Sequence, residues 1–223
     1  MKKAIIAMAL ALLASTAQAS IVGSSHDLTA NATFGGTGSR CQYCHLPHNA
    51  PVAGTIAPLW ARNMNTTQTY TMYSSTFGGT AATADTAGNG SRLCLSCHDG
   101  TQTTATVYNI STGAFAPITG AANNTMKAPG GGTGASAAFQ GTNLSSDHPI
   151  GVTYLTTKAG LGTPATTYAN GINGNKAIVN GMLECTGCHN AHNATGVAGG
   201  YLARHFMANT GGTDFCAACH ANQ

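Results

Sequence analysis

The chain has 223 residues and a formal net charge of +3, but only 7% of its residues are charged and 29 are glycine. The basic residues form no patch along the sequence, which excludes a nucleic-acid-binding protein of the usual electrostatic kind. Long stretches, notably 101–120 and 130–141, have neither a helical nor a strand period. Such segments rarely hold structure by themselves, so the side chains alone do not predict an ordinary hydrophobic core.

Residues 1–19 are predicted to form a signal peptide. Lys2 and Lys3 give a positively charged start, residues 4–14 are apolar, and residues 17–19 read as a small-residue cleavage site. The apolar run is too short to span a bilayer, and no later segment is long and apolar enough to do so; a retained N-terminal anchor is the alternative. We therefore expect an exported protein, extracellular at the cell surface or periplasmic, with one mature domain over residues 20–223.

All eight cysteines lie in four Cys-x-x-Cys-His motifs. This is the pattern of c-type haem attachment, in which two thiols bond covalently to the haem and the adjacent histidine reaches the iron from one face. The sequence therefore predicts four covalently bound haem c groups. The predicted attachment residues are Cys41, Cys44, Cys94, Cys97, Cys185, Cys188, Cys216 and Cys219. The predicted proximal iron ligands are His45, His98, His189 and His220.

Disulfides and zinc sites are the two alternative interpretations of these cysteines. Eight cysteines in an exported protein often pair as disulfides, and two Cys-x-x-Cys pairs can hold one zinc ion. Neither alternative explains why a histidine follows every pair. The haem interpretation uses all four histidines and is therefore favoured.

Four haems would also supply the missing core, since each porphyrin is a large apolar plate fixed by two covalent bonds. The predicted fold is a multihaem cytochrome c: a mostly irregular chain with short α-helices around covalent haems and little sheet. Without haem we expect no folding, as in other systems where the free energy of cofactor binding is also the free energy of folding.

An internal repeat predicts the remaining iron ligands. In the first and third motifs the pattern extends to Cys-x-x-Cys-His-x-x-His-Asn-Ala, and each half of the mature chain also has one histidine upstream. The halves run over about 20–120 and 121–223, each with two predicted haems. Four histidines repeat in this way and are the predicted distal ligands: His26, His48, His148 and His192. His205 is left over and is not expected to bind iron.

The spacing of His45 and His48 adds a geometric constraint. Residues three apart are neighbours on one helical face, so His48 cannot reach the opposite face of the iron that His45 binds. His48 must then bind a different haem close by, and the same holds for His192 after His189. The sequence thus predicts closely packed haems, in the same chain or in a neighbouring one.

With these residues in place, the chain resembles the bacterial multihaem c-type cytochromes, most of all the outer-surface tetrahaem cytochromes of the OmcE type. The resemblance covers most of the mature chain, through residues 25–28, 44–49, 57–60, 93–100, 147–152 and 185–192. It implies a filament in which a continuous row of haems, each held by two histidines, passes through successive subunits. Carried over, the candidate ligand to a neighbouring subunit's haem is His48, with His26 second; His205 has no counterpart in the pattern.

The function expected from these observations is electron transfer, as a polymeric filament that carries electrons to external acceptors. Redox partner proteins or extracellular electron acceptors are the expected partners, and no enzymatic activity is expected. A monomeric periplasmic shuttle is the alternative in the same class. A multihaem reductase is a further alternative, but it needs an open axial position on one iron. A structural exoprotein that uses haem only to stabilise its fold is the last alternative.

Overall fold

We describe the fold from a computed structural model. It describes residues 21–22, 24–36, 39–48, 50, 59–64, 67–74, 90–157, 159–162, 178–179, 181–189, 191–192 and 219–220. The predicted signal peptide, Cys216 and His205 lie outside these residues. Within them, no helix has the length and apolar character needed to cross a membrane.

Regular secondary structure occupies short segments of the described chain. The helices are a 3-10 helix at Leu28–Ala30, α1 at Gly90–His98 and α2 at Cys185–Cys188. The strands are β1 (Thr71–Met72), β2 (Thr106–Asn109), β3 (Ala114–Pro117), β4 (Asn143–Leu144), β5 (Val152–Thr153), β6 (Ile178–Val179) and β7 (Met182–Leu183). Helix α1 carries the second Cys-x-x-Cys-His motif and α2 carries the cysteines of the third, whereas the first motif lies in turns.

The strands form three small sheets. β1 pairs with β4 in parallel, β2 pairs with β3 as an antiparallel hairpin, and β7 lies between β5 and β6 with antiparallel pairing on both sides. Each sheet is too small to be stable by itself. The sheets therefore depend on the packing around them rather than forming the centre of the fold.

The hairpin of β2 and β3 lies in a stretch for which the sequence predicts no regular structure. Its turn explains the difference, because Asn109 accepts a hydrogen bond from the backbone N–H of Ser111 at 2.9 Å. The N–H of Gly113 donates to the Asn109 carbonyl at 2.9 Å, and Gly113 has a φ of 67°, a left-handed conformation that glycine adopts readily. The side-chain and backbone hydrogen bonds of the turn thus stabilise a hairpin whose strands show no clear alternation of apolar and polar residues.

The apolar core is small. Tyr70, Leu95 and Leu144 form its buried cluster, with Met72 and Ile150 packed against it. This cluster joins α1 to the sheet of β1 and β4. It therefore fixes the second Cys-x-x-Cys-His motif to the middle of the chain.

Many of the buried side chains are polar and find specific partners. Asp99, directly after α1, accepts a hydrogen bond from the Tyr70 hydroxyl at 2.7 Å. Its other carboxylate oxygen accepts from the N–H and hydroxyl of Thr101, at 2.8 and 2.9 Å. Asp99 thus closes the turn at Gly100 (φ 72°) and connects the end of α1 to the apolar cluster.

Substitution of Tyr70 by Phe tests this connection. The variant loses a buried hydrogen bond to a carboxylate, so we expect the free energy of unfolding to fall by about 1.5–3 kcal/mol. Denaturant unfolding of the purified protein measures the change. Tyr73→Phe is the matched control, because Tyr73 is 39% exposed and its hydroxyl can bond to water in either state. Equal stability of the two variants would contradict the role assigned to Asp99.

Candidate functional site

Three pairs of histidine rings face one another in the described chain. His26 faces His98 with ring centroids 6.0 Å apart. His45 faces His192 at 5.8 Å, and His148 faces His220 at 6.2 Å. Each pair joins one motif histidine to one of the four histidines predicted as distal ligands.

The spacing of these rings is that of two imidazoles on opposite sides of one metal ion. A metal–nitrogen bond is about 2 Å long and the ring centre lies roughly 1.1 Å further, so two opposed ligands have centroids about 6 Å apart. Stacked and edge-to-face rings in direct contact also have centroids about 4.5–7 Å apart, so this spacing is compatible with a metal between the rings and does not require one. All three pairs could therefore hold a metal ion between them.

Hydrogen bonds to backbone orient the rings of His26, His98 and His148, and the partner of His26 is Ala191. His98 Nδ1 lies 2.8 Å from the carbonyl oxygen of Ala138, and His148 Nδ1 lies 3.1 Å from that of Pro149. An Nδ1–H that donates to a backbone carbonyl leaves Nε2 with its lone pair, which is the usual arrangement of a metal-binding histidine. Nδ1 of His26 and Nδ1 of His220 are buried and have no hydrogen-bond partner among the described residues.

Three of the rings are held in the neutral form. Burial, and to a lesser extent the neighbouring His98, lower the pKa of His26 to about 4. Burial also lowers the pKa of His98 and of His192. Only a neutral imidazole offers a lone pair to a metal, so burial keeps these rings ready for coordination at neutral pH.

His45 is positioned by the chain that returns after the first motif. The N–H of Leu46 donates to the Leu59 carbonyl at 2.7 Å, and the N–H of Ala61 donates to the Cys44 carbonyl at 2.8 Å. These bonds bring Trp60 against His45, with ring centroids 5.6 Å apart and an interplanar angle of 86°. His45 therefore lies between Trp60 and His192.

The second and third motifs are in direct contact. The side chains of Cys94 and Cys185 form a hydrogen bond, which raises the pKa of the Cys94 thiol and lowers that of Cys185. The electrostatic influence of Cys97 and Cys44 on Cys94 places the first motif nearby as well. Three of the four motifs thus share one region of the molecule.

Glu184, which the sequence did not single out, joins the second motif to the third. Its carboxylate accepts hydrogen bonds from the backbone N–H and the hydroxyl of Ser91, and the Ser91 hydroxyl also accepts from the N–H of Cys185 at 3.0 Å. Ser91 is in the first turn of α1, whose N–H groups have no partner within the helix. A carboxylate there also interacts favourably with the helix dipole.

No disulfide is formed by the described cysteines, which are Cys41, Cys44, Cys94, Cys97, Cys185, Cys188 and Cys219. Among the described residues, no group of three or more His, Cys, Asp or Glu side chains is arranged to hold a metal ion. The candidate sites are the three pairs of histidines, each of which includes the histidine that follows a Cys-x-x-Cys pair in the sequence.

The remaining two predicted iron ligands are both exposed. His48 lies on the surface and has no ring contact with another histidine among the described residues. His189 is also exposed, and its charge influences the pKa of His26. Of the eight predicted iron ligands, the structure thus brings six together as three pairs.

Comparison with protein-family models and with curated protein sequences gives no match for this chain.

Two substitutions of Glu184 separate its hydrogen bond from its charge. Burial raises the pKa of Glu184, so its ionised form is the less favourable one and is present above the raised pKa. Glu184→Gln keeps a side-chain oxygen that accepts the hydrogen bonds from Ser91 and removes the charge. We expect the free energy of unfolding at neutral pH to stay equal or rise. Glu184→Ala leaves the N–H of Ser91 without its partner and should cost about 1 kcal/mol, as loss of a helix cap does.

Denaturant unfolding of both variants at neutral pH measures these differences. A Gln variant that is destabilised as much as the Ala variant would contradict the capping role, since it would show that the negative charge itself is required.

Proposed function

We propose that this protein transfers electrons through four covalently bound haem c groups, each with two histidine ligands. The observation that carries the proposal is the set of three facing histidine pairs, each of which includes the histidine of a Cys-x-x-Cys-His motif. Two protein ligands on opposite sides of a metal suit haem, which supplies its own four nitrogens. A protein zinc site would use three or four ligands from the chain.

The proposed ligand sets follow from the pairs. The haem at Cys41 and Cys44 would be held by His45 and His192. The haem at Cys94 and Cys97 would be held by His98 and His26. The haem at Cys216 and Cys219 would be held by His220 and His148. When bound, haem supplies an iron that accepts and releases one electron at a low reduction potential, as expected for two imidazole ligands.

The proposed sites share residues of the same segments, which supports electron transfer between them. His192, a proposed ligand of the first iron, is three residues from His189, the proposed proximal ligand of the third. His26, a ligand of the second iron, is near His98, His189 and His192. These contacts support a compact group of three haems, with the backbone and thiols setting their separation.

We propose no catalytic role. A substrate-binding haem needs one open ligand position, and each of the three pairs would supply two histidines to its haem and leave none open. The charged side chains beside the motifs have partners within the fold: Arg62 donates to backbone carbonyls, Asp99 accepts from Tyr70 and Thr101, and Glu184 accepts from Ser91.

We further propose that His48 binds a haem of a neighbouring copy of this chain. Of the two candidates for this role, His26 faces His98 within its own chain, whereas His48 is exposed. The repeat supports a specific partner. In the pair of His45 and His192, the proximal histidine of the first half lies beside the additional histidine of the second half. The equivalent pair joins His189, the proximal histidine of the second half, to His48, the additional histidine of the first half in a neighbouring copy.

An exchange of this kind between copies is a head-to-tail contact, and contacts of that type produce filaments when the rotation does not close a ring. The proposed protein is therefore a subunit of an extracellular conduit that passes electrons to external acceptors. A monomeric periplasmic shuttle is the outcome expected if His48 instead acts within its own chain.

Substitution of His48 by Ala in the exported protein tests the assembly. We expect one haem of the four to lose a strong-field ligand and become high-spin in the visible spectrum, and filaments to disappear in electron microscopy. The matched control is His205→Ala, which removes the histidine that the repeat leaves over; it should keep both the spectrum and the assembly.

Three results would count against the proposal. An exported protein without a haem spectrum would exclude the electron-transfer function. An unchanged spectrum in His48→Ala would remove His48 from the ligands. A changed spectrum in a chain that is monomeric before and after substitution would favour the shuttle.

A further inference from the structure

Arg62 is a fully buried cation with neutral partners. Its side chain is 0% exposed, and its guanidinium donates to backbone carbonyl oxygens alone. Nη1 contacts the carbonyls of Thr104 and Thr106, while Nη2 contacts those of Ser96 at 3.1 Å and Thr103 at 2.7 Å. Its Nε is buried without a hydrogen-bond partner among the described residues.

The charge of Arg62 is therefore not cancelled within the described chain. The ion pair found there joins Arg40 to Asp27 at 3.2 Å, and no described carboxylate lies within that range of Arg62. A guanidinium stays protonated at any ordinary pH, so Arg62 keeps its full positive charge in the interior. Four carbonyl dipoles offset part of the desolvation cost, but they leave the net charge unchanged.

Arg62 lies between the first and second Cys-x-x-Cys-His motifs. Its neighbour Ala61 donates its backbone N–H to the carbonyl of Cys44 at 2.8 Å. Its own guanidinium binds the carbonyl of Ser96, which lies between the two cysteines of the second motif. Arg62 thus contacts the second attachment segment directly, and its neighbour Ala61 contacts the first.

We propose that Arg62 is a positioning residue that raises the reduction potentials of the irons at the first and second motifs above those of the other two. The inference rests on the proposed function. Reduction of either site adds one electron and transfers no atom, so the site loses one unit of positive charge. A fixed cation buried beside both sites stabilises the reduced form, and the low dielectric of the interior makes its effect larger than that of a surface charge.

This assignment gives the electron path an energetic order. Electrons that enter the chain would equilibrate toward the first two sites, which lie together through Arg62 and the neighbouring cysteines. The sites with His189 and His220 would be the more strongly reducing ones. The charge of Arg62 would then determine which sites hold the electrons. The histidine ligands would keep all four sites low-spin.

The test is a potentiometric titration of the oxidised protein, with electrons supplied by a poised electrode and followed by electron paramagnetic resonance. In Arg62→Gln we expect two of the four sites to become about tenfold harder to reduce relative to wild type, which is about 59 mV for one electron. Arg62→Lys keeps the charge and should restore most of the shift. Lys127→Gln is the matched control, because it removes one exposed charge.

The sites can be identified by the planes of their ligand rings. His45 and His192 lie at 26° to each other, whereas the other two pairs lie at 71° and 78°. Nearly parallel imidazoles split the iron d orbitals strongly and give a rhombic low-spin signal. The rhombic signal of the first site is recognised by its loss in His192→Ala.

Several results would overturn the inference. Four potentials unchanged in Arg62→Gln would show that its charge does not reach the irons, and equal shifts in the Gln and Lys variants would show a purely structural role. If Arg62→Gln does not fold, the wild-type titration still decides, since the rhombic signal of the first site must be among the first two to be reduced. These results leave haem binding intact, so they are distinguishable from failure of the proposed function.

Discussion

The pairing of histidine rings from distant segments is the constraint on which the rest of this structure depends. The pairs connect residues far apart in the sequence, and they do so at 5.8, 6.0 and 6.2 Å. Each partner must be brought to its place by a different segment. The short helices, small sheets and buried polar contacts hold those segments in position relative to one another.

The two halves of the chain use the pairs in an ordered way. The upstream histidine of each half faces the second motif of the same half, in the pairs of His26 with His98 and of His148 with His220. The pair of His45 and His192 crosses between the halves. Two kinds of pair therefore arise from one repeat, and the crossing pair is what joins the two halves. The same exchange between separate copies would join subunits.

Buried polar groups hold the segments of this chain together, a role that a large apolar core has in other proteins. Tyr70 and Asp99 hold the end of α1, while Glu184 and Ser91 hold its start against the third motif. Arg62 holds the loop after α1 against the chain that follows the first motif. Because each of these contacts ends on a segment that carries a cysteine pair, the polar network fixes the attachment segments relative to one another.

The sequence predicts much of the candidate site, because its motifs are local. Cys-x-x-Cys-His can be read directly, and the repeat selects His26, His48, His148 and His192 from the remaining histidines. The spacing of His189 and His192 also predicts that His192 must serve another motif. Which motif it serves depends on the tertiary structure, since nothing local in the sequence connects His192 to His45.

Other features could not be predicted for physical reasons. The hairpin of β2 and β3 depends on the side-chain hydrogen bond of Asn109 and on Gly113, and not on an alternation of apolar residues. Arg62 has no sequence signal because its partners are backbone carbonyls, which every residue has. Glu184 directly precedes the third motif, but its role depends on α1 reaching it from a distant part of the chain. The predicted multihaem fold itself remains a prediction.

The most direct test of the central claim is the frozen-solution electron paramagnetic resonance spectrum of the fully oxidised, exported protein. If the three pairs hold haem irons at the observed ring angles, the spectrum contains a rhombic low-spin signal from His45 and His192. It also contains at least two strongly anisotropic low-spin signals from the nearly perpendicular pairs. A spectrum with no low-spin ferric haem, or with every signal high-spin, would contradict the account.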